Sequence, residues 1–220
     1  GKGVHHYSFS TEEISKLDIE GFVNDITIIE DDIYVITDTE LIKMNSNLNQ
    51  VKKSLLTELL PKQMVAYGKH DIAILMNDGK VVFANSNLEF LQTFHSVEFE
   101  PIEIAGKNGL LYAIDKHSLK EWKDNEFVKI KNGDFDNLTQ VQSLLLTSHK
   151  NSIESVNVLS KVFNIDKVFS ICSYNEKFLL GREGRISLFQ NQSINKDIVF
   201  PDKFKSSYVS SMVVNDKSIY

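Results

Sequence analysis

The chain has 220 residues, of which 42% are hydrophobic, with 10 glycines and a single cysteine, Cys172. That apolar content is enough for one globular core, so the composition excludes a disordered tail, and a lone cysteine excludes an internal disulfide framework. The whole net charge of −6 lies in residues 1–60, which hold 5 basic and 11 acidic side chains. A broadly basic nucleic-acid footprint is therefore excluded, although a local basic patch is not.

The N-terminal segment shows no export signal, because Gly1–Phe9 lacks an apolar stretch. The longest uninterrupted apolar runs, Ile72–Met76 and Leu110–Ile114, have five residues each, whereas a membrane-spanning helix needs about 18 or more. These observations predict an intracellular protein, of the cytoplasm or nucleus, without a membrane span. Gly3–Ile19 has the apolar pattern of two β-strands.

The first complete unit contains four short apolar or alternating runs: Val23–Ile29, Ile33–Thr37, Leu41–Met44 and Val51–Leu55. Asp, Asn and Ser dominate the segments between them, and these residues favour turns because their side chains bond nearby backbone amides. The pattern predicts four antiparallel β-strands.

Residues 47–60 also fit a second interpretation. Leu48, Val51 and Leu55 fall at helical spacing, Asn47 with Gln50 resembles a capping box, and Pro61 ends the run. The sequence therefore leaves a fourth strand and a short amphipathic helix open for this segment.

The unit repeats along the chain. Asn45–Leu48 recurs as Asn85–Leu88, and three further pairs share the same offset of 40 residues: Asp31 with Asp71, Asp38 with Asp78, and Pro61 with Pro101. The turn before the third strand of each unit is predicted at Gly3, Thr39, Gly79, His117, Asn151 and Gly184. Four strands every 33 to 40 residues are the rhythm of a β-propeller blade.

The two ends of the chain fit a propeller that closes on itself. Gly3–Ile19 supplies a third and a fourth strand, and Tyr208–Val214 with Ser218–Tyr220 supplies a first and a second. The prediction is an all-β propeller of about six four-stranded blades, six or seven, forming a single domain over residues 1–220 and closed by this composite blade. A β-sandwich and completion of the last blade by strands of another chain are the alternatives.

The blade rhythm resembles that of the WD-repeat-like propellers over nearly the whole chain. The family's Trp-Asp signature is missing, because Lys123 follows Trp122, and the corresponding aromatic positions are near Phe83 and Phe189. No Gly-His opens a blade, so the family's Asp-His-Ser/Thr-Trp network is not transferred to this sequence. Asn108–Ala113 also looks like a segment of sensor-type propellers attached to bacterial regulators.

Motifs for catalysis or cofactor binding are absent from the sequence. The six histidines are scattered rather than spaced as metal ligands, adjacent His5 and His6 would face opposite sides of a strand, and no phosphate-binding glycine loop or nucleophile elbow occurs. The predicted innermost strands carry three charges, Asp25, Glu103 and Lys167, which turn amides and caps can satisfy. We therefore predict no enzyme, no metal and no cofactor.

Turn charges suggest a binding surface instead. The turns between second and third strands are expected on one rim, acidic in the early blades and basic in the later ones. The predicted partner-binding residues there are Asp38, Glu40, Lys116, His117, His149, Lys150, Arg182 and Arg185. The sequence predicts a scaffold that docks other protein subunits, with nucleic acid disfavoured as a partner. The alternative is a small-ligand or sensor propeller, possibly hydrolase-like, that uses its central channel.

Overall fold

A computed structural model describes residues 3–8, 10–12, 14–45, 47–56, 60–135, 137–141, 144–149, 152–155, 163–164, 170–174, 177–190, 193–209, 212–214 and 218–220. In these ranges the only helical element is a single 3-10 turn, Asp202–Phe204. The strands, numbered along the chain, are β1 Val4–Ser8, β2 Ile14–Leu17, β3 Val23–Ile29, β4 Asp32–Thr37, β5 Glu40–Met44, β6 Gln50–Leu55, β7 Pro61–Tyr67, β8 Asp71–Met76, β9 Val81–Asn85, β10 Phe90–Phe94, β11 Glu103–Lys107, β12 Leu110–Ile114, β13 Ser118–Lys123, β14 Glu126–Asn132, β15 Asn137–Val141, β16 Leu144–His149, β17 Ser152–Ser155, β18 Phe163–Asn164, β19 Ser170–Tyr174, β20 Lys177–Arg182, β21 Arg185–Gln190, β22 Ser193–Val199 and β23 Ser218–Ile219.

Consecutive strands form antiparallel sheets arranged as a β-propeller. Within the described residues, β3–β6, β7–β10, β11–β14, β15–β18 and β19–β22 each make a four-stranded sheet in chain order. The first strand of each sheet lies beside the first strand of the next, from β3 to β7, β11, β15 and β19. These strands are innermost, and β6, β10 and β14 are exposed outer strands. The all-β propeller prediction is confirmed, and the sandwich alternative is wrong.

The two chain ends share one sheet. Strand β1 pairs with β2 on one side and with β23 on the other, where Tyr7 lies opposite Ile219. Tyr220 extends this sheet inward, because its backbone exchanges hydrogen bonds of 2.8 and 3.1 Å with Val213. The sheet therefore contains residues from both ends of the chain, as the sequence predicted.

The core lies between the sheets rather than inside any one of them. Buried Tyr34 and Ile36 of β4 pack with Ile72 and Ile74 of β8, and equivalent clusters join the next sheets. The composite sheet takes part on both sides: Val4 and Tyr220 pack against the β3–β6 sheet, and Tyr7 and Ile219 pack against the β19–β22 sheet. The composite sheet and the β3–β6, β7–β10 and β11–β14 sheets thus bury both faces against neighbours, which is why the repeats need one another for stability.

The repeated Asn-Ser-Asn-Leu sequence forms the same turn twice. Asn45 Oδ1 accepts from the backbone N–H groups of Asn47 and Asn49 at 3.1 and 3.0 Å, and Asn85 Oδ1 accepts from those of Asn87 and Glu89 at 2.9 and 3.0 Å. Leu48 and Leu88 both have φ of 62°. Each turn connects a third strand to a fourth strand.

The helical interpretation of residues 47–60 is wrong for the described part of this segment; residues 57–59 lie outside the described residues. Gln50–Leu55 is strand β6, which pairs with β5. The apolar residues at helical spacing do not share one buried face. Leu56 is buried after the strand, whereas Val51 and Leu55 are exposed at 58% and 63%. The five predicted turn positions that the structure describes, Gly3, Thr39, Gly79, His117 and Gly184, each lie within two residues of the start of a third strand. The sixth, Asn151, lies outside the described residues.

Candidate interaction rim

The described turns between second and third strands lie at the same edge of the ring. The inner strands β3, β7 and β11 run in the same direction. Asn24 contacts Pro61 and Asp25 contacts Met64 between the first two, and Gln63 contacts Ile104 and Gly68 contacts Gly109 between the second two. In an antiparallel sheet of four strands, the second-to-third turn then lies where the first strand begins. We call this edge the entry rim and define it by the described residues Asp38, Glu40, Lys116, His117, His149, Arg182 and Arg185.

Short side chains set the local shape of the entry-rim turns. Buried Thr37 accepts from the N–H of Glu40 at 3.0 Å through its hydroxyl. In the third full sheet, Asp115 Oδ1 accepts from the backbone N–H groups of His117 and Ser118 at 2.7 and 2.6 Å. Such side-chain acceptors replace backbone partners in tight turns, which leaves the next side chains projecting outward.

The acidic side of the entry rim is partly compensated. Asp38 Oδ1 accepts from Asn24 Nδ2 at 3.2 Å, and Asn24 also donates to the carbonyl of Pro61 at 2.9 Å. Glu40 forms a salt bridge of 2.7 Å with Lys53 of β6. Asp38 therefore retains its negative charge without a cation in the described part of the chain, whereas that of Glu40 is paired.

On the basic side of the entry rim, some side chains have an acidic partner and others do not. Arg185 lies directly opposite Arg182 across the β20–β21 pair, and its guanidinium contacts Asp197 at 3.2 Å. His117 Nδ1 lies 3.8 Å from Asp134 Oδ1, with both side chains exposed. Lys116 and Arg182 make no ion pair within the described ranges. His149 ends β16, its side chain is not described, and Lys150 lies outside the described residues.

The structure therefore brings Arg182 and Arg185 together on one blade, Asp38 with Glu40 on another and Lys116 with His117 on a third, while His149 lies on a fourth. No described hydrogen bond or ion pair links predicted residues of different blades. The compensating partners Lys53 and Asp197 were missed because the sequence reasoning considered turn charges alone. Pairing of neighbouring strands identifies both partners, since each lies on the fourth strand next to the third.

The central side of the sheets uses its polar groups for structure. The N–H of Met64 donates to Asp25 Oδ2 at 2.7 Å, that of Ile104 to Gln63 Oε1 at 2.8 Å, and that of Leu138 to Glu103 Oε2 at 2.5 Å. One inner-strand side chain thus accepts from the next inner strand at three successive junctions. Sequence reasoning identified Asp25 and Glu103 as charges but missed Gln63; Lys167 lies outside the described residues.

The side chains of His5, His6 and Cys172 lie against apolar or aromatic groups. His5 lies against Phe204, with ring centroids 4.6 Å apart, and His6 stacks on Tyr220 at 4.9 Å, so the two face opposite sides of β1 as predicted. Burial raises the pKa of the Cys172 thiol to about 12.

Among the described residues, no group of three or more His, Cys, Asp or Glu side chains is arranged to hold a metal ion. The described helical content includes nothing long and apolar enough to cross a membrane.

Comparisons with known proteins identify the fold. No protein family model matches the sequence, and no curated protein matches it either. Among solved structures, the RRP9 WD40 repeats superpose with a TM-score of 0.57 at 12% identity, over 81% of this chain and 63% of that one. The fold is that of a WD-repeat propeller.

Two other structures extend this similarity. A chain of the mitotic checkpoint complex superposes with a TM-score of 0.62 at 11% identity, over 96% of this chain and 74% of that one. BBS1N, solved in complex with ARL6DN, gives a TM-score of 0.62 at 10% identity, over 93% and 75%. The protein spans less than two thirds of the length of the RRP9 structure. The WD-repeat resemblance is thus confirmed at the level of the fold.

Proposed function

We propose that this protein is a non-enzymatic scaffold that docks other protein subunits in an intracellular complex, of the cytoplasm or nucleus. Its single domain, residues 1–220, is a ring of six blades, with the composite sheet of β1, β2 and β23 as the closing blade. The observation that carries the proposal is that polar side chains on the channel side bond to neighbouring blades, whereas charged side chains on the entry rim are left for a partner. Asp25, Gln63 and Glu103 on the channel side serve as acceptors between blades, whereas Lys116 projects from the entry rim without an ion-pair partner in the described chain.

A rigid ring suits this role because its turns are held in fixed positions for a partner. The same fold in a chain of the mitotic checkpoint complex and in BBS1N bound to ARL6DN supports a docking role here. Uncompensated charges at the rim favour a charged partner surface, with Asp38 on the early side and Lys116 and Arg182 on the later side. Such charges guide encounter and orientation more than they increase affinity.

The test is affinity capture of the tagged full-length protein from its native cells, followed by mass spectrometry. The rim variant is Lys116→Glu with Arg182→Glu, two residues without ion-pair partners in the described structure. The matched control is Lys69→Glu with Lys123→Glu, which changes the net charge equally at the opposite edge, in the turn after β7 and at the end of β13. We expect partner recovery to fall at least several-fold for the rim variant and to stay unchanged for the control.

Equal recovery with both variants would refute the entry rim as the docking site. Capture without any stoichiometric protein partner would refute the scaffold itself. Thermal-shift screening of the purified protein with metals and metabolites addresses the channel, because a ligand of the folded state raises the melting temperature with concentration. We expect no concentration-dependent shift.

A further inference from the structure

Strand β14 is an outer strand with one free edge in the described structure. It pairs with β13 from Glu126 to Asn132, and no described strand lies on its other side. Phe127 anchors it, because this buried ring packs 5.0 Å from Trp122 and 5.0 Å from Phe94 between centroids. The remaining six residues are exposed. The strand therefore presents a fixed row of backbone hydrogen-bonding groups to a partner.

The exposed side chains of β14 are basic and aliphatic in alternation. Lys129 and Lys131 form no ion pair in the described part of the chain, and Val128 and Ile130 are 43% and 49% exposed. Lys120 of β13 lies directly opposite Lys129 and adds a third positive charge. Its ammonium group lies 4.0 Å from the ring centroid of Phe99, which holds it beside the strand.

Other outer strands have their described lysines engaged. Lys52 of β6 donates to the carbonyl of Asn87 at 2.7 Å, and Lys53 forms its salt bridge with Glu40. Lys196 of β22 lies 3.7 Å from Glu12. Among the outer strands with described side chains, β14 is the one that combines an open edge with lysines lacking a partner.

We propose that β14 binds an extended acidic segment of a partner protein, which adds to the β11–β14 sheet as a fifth strand. This inference rests on the proposed docking function and specifies the chemistry of one partner. Backbone hydrogen bonds supply affinity in such strand addition, and side chains at alternate positions supply specificity. Lysines at a sheet edge discourage pairing with another copy of the same strand, because they would repel their own counterparts. An acidic segment instead places carboxylates against Lys120 and Lys129, which lie opposite each other, while Lys131 lies beyond the register shift of the β13–β14 pair, opposite Leu119.

The probe is a fluorescein-labelled nine-residue peptide that alternates glutamate and valine, titrated into the full chain by fluorescence anisotropy. A second peptide has the same sequence but carries two adjacent N-methylated amides at its centre, so it keeps its charge and cannot pair along either edge. The protein variants are Lys129→Glu with Lys131→Glu and, as a milder pair, Lys129→Gln with Lys131→Gln. The matched control is Lys52→Glu with Lys196→Glu, which changes the net charge as much on two other outer strands. Circular dichroism and thermal melting establish that each variant is folded.

We expect saturable binding of the first peptide, a loss of affinity of about tenfold or more for the glutamate variant, and a change within about twofold for the control. Amide chemical-shift changes should centre on Val128–Lys131. The proposal is overturned if the first peptide does not bind, or if the N-methylated peptide binds as tightly as the first. It is also overturned if the β14 glutamate variant and the control glutamate variant lose affinity equally. Arg182→Glu on the entry rim should leave peptide binding unchanged, so failure of this test is distinct from failure of rim docking.

Discussion

The carboxylate of Asp25 accepts a hydrogen bond of 2.7 Å from the backbone N–H of Met64, 39 residues later in the chain, and so joins two neighbouring inner strands. Its other oxygen accepts from the N–H of Ile26 at 2.9 Å. Asp25 is buried, with 8% of its surface exposed. One side chain therefore satisfies two backbone donors at a junction between blades.

Replacing Asp25 with alanine should destabilise the ring strongly. The change leaves two N–H groups without their acceptor in a site shielded from water, and each such loss costs about 1–3 kcal/mol. We expect the free energy of unfolding, from urea denaturation, to fall by about 2–4 kcal/mol. The control is Asp31→Ala in the exposed turn after β3, expected within about 0.5 kcal/mol of the parent protein. A similar loss in the two variants would contradict a specific role for the Asp25–Met64 contact.

The two copies of the Asn-Ser-Asn-Leu turn should contribute equally to stability. Asn45→Ala and Asn85→Ala each remove an acceptor for two N–H groups of an exposed turn, where water replaces part of the lost bonding. Asn85 also donates to Glu89 Oε2 at 2.8 Å, an exposed bond that water replaces. We expect each variant to lose about 1 kcal/mol of unfolding free energy, and the double variant to lose the sum within about 0.5 kcal/mol. Guanidinium denaturation of the three proteins measures this. A difference of several kcal/mol between the single variants would show that the turns are not equivalent.

Acidification should weaken the packing of β1 against Phe200 and Phe204. Burial lowers the pKa of His5 below 6.5, and the Lys16 ammonium lowers it further. The Asp18 carboxylate raises this pKa by a smaller amount, and the Lys203 ammonium lowers it slightly. The His5 Nδ1 atom is buried and has no hydrogen-bond partner among the described residues. The unfolded chain protonates His5 more readily than the folded protein does. The contribution of neutral His5 to the free energy of unfolding is therefore fully present above pH 6.5 and is lost as the pH falls below it.

His5→Phe isolates this effect, since it keeps an aromatic ring against Phe200 and Phe204 and removes the titrating group. Urea denaturation at pH 8.0 and 5.5 should show a smaller loss of stability for the variant than for the parent protein. Burial also lowers the pKa of His6, so part of the acid sensitivity should remain. An identical pH dependence in the two proteins would show that His5 does not titrate differently on folding.

The Cys172 thiol should be unreactive in the folded protein. It is buried in the cluster between the β19–β22 sheet and the composite sheet, and its raised pKa leaves almost no thiolate at pH 8. We expect iodoacetamide to modify it only after denaturation, as measured by intact mass. Rapid modification under native conditions would show that this interface opens in solution.

Turns and strands were accessible from the sequence because their signals are local. Asn45 and Asn85 mark their turns through bonds to residues two and four positions later, and the strand after each predicted turn starts where expected. The ambiguity at residues 47–60 arose because periodicity does not distinguish exposed Val51 from buried Leu56. A local pattern reports spacing, whereas burial depends on the neighbouring sheet.

Contacts between blades were not accessible in the same way. Gln63 is an ordinary polar residue in the sequence, and its role at the N–H of Ile104 follows only from the parallel alignment of two inner strands. The entry-rim prediction was similarly incomplete, because the charge of Arg185 was identified without its partner Asp197. The positions of the rim turns were predictable, but their net electrostatics required the register of the fourth strands.

Ring closure by the two chain ends is tested most directly by a disulfide between positions 7 and 219. Tyr7 and Ile219 are directly paired across β1 and β23, and such antiparallel partners have Cα separations of about 4.5–5.5 Å, within disulfide range. In a Cys172→Ser background, Tyr7→Cys with Ile219→Cys should form an intramolecular disulfide on oxidation, give a monomer on a non-reducing gel and raise the melting temperature. Free thiols after oxidation, or disulfide-linked dimers, would contradict closure within one chain.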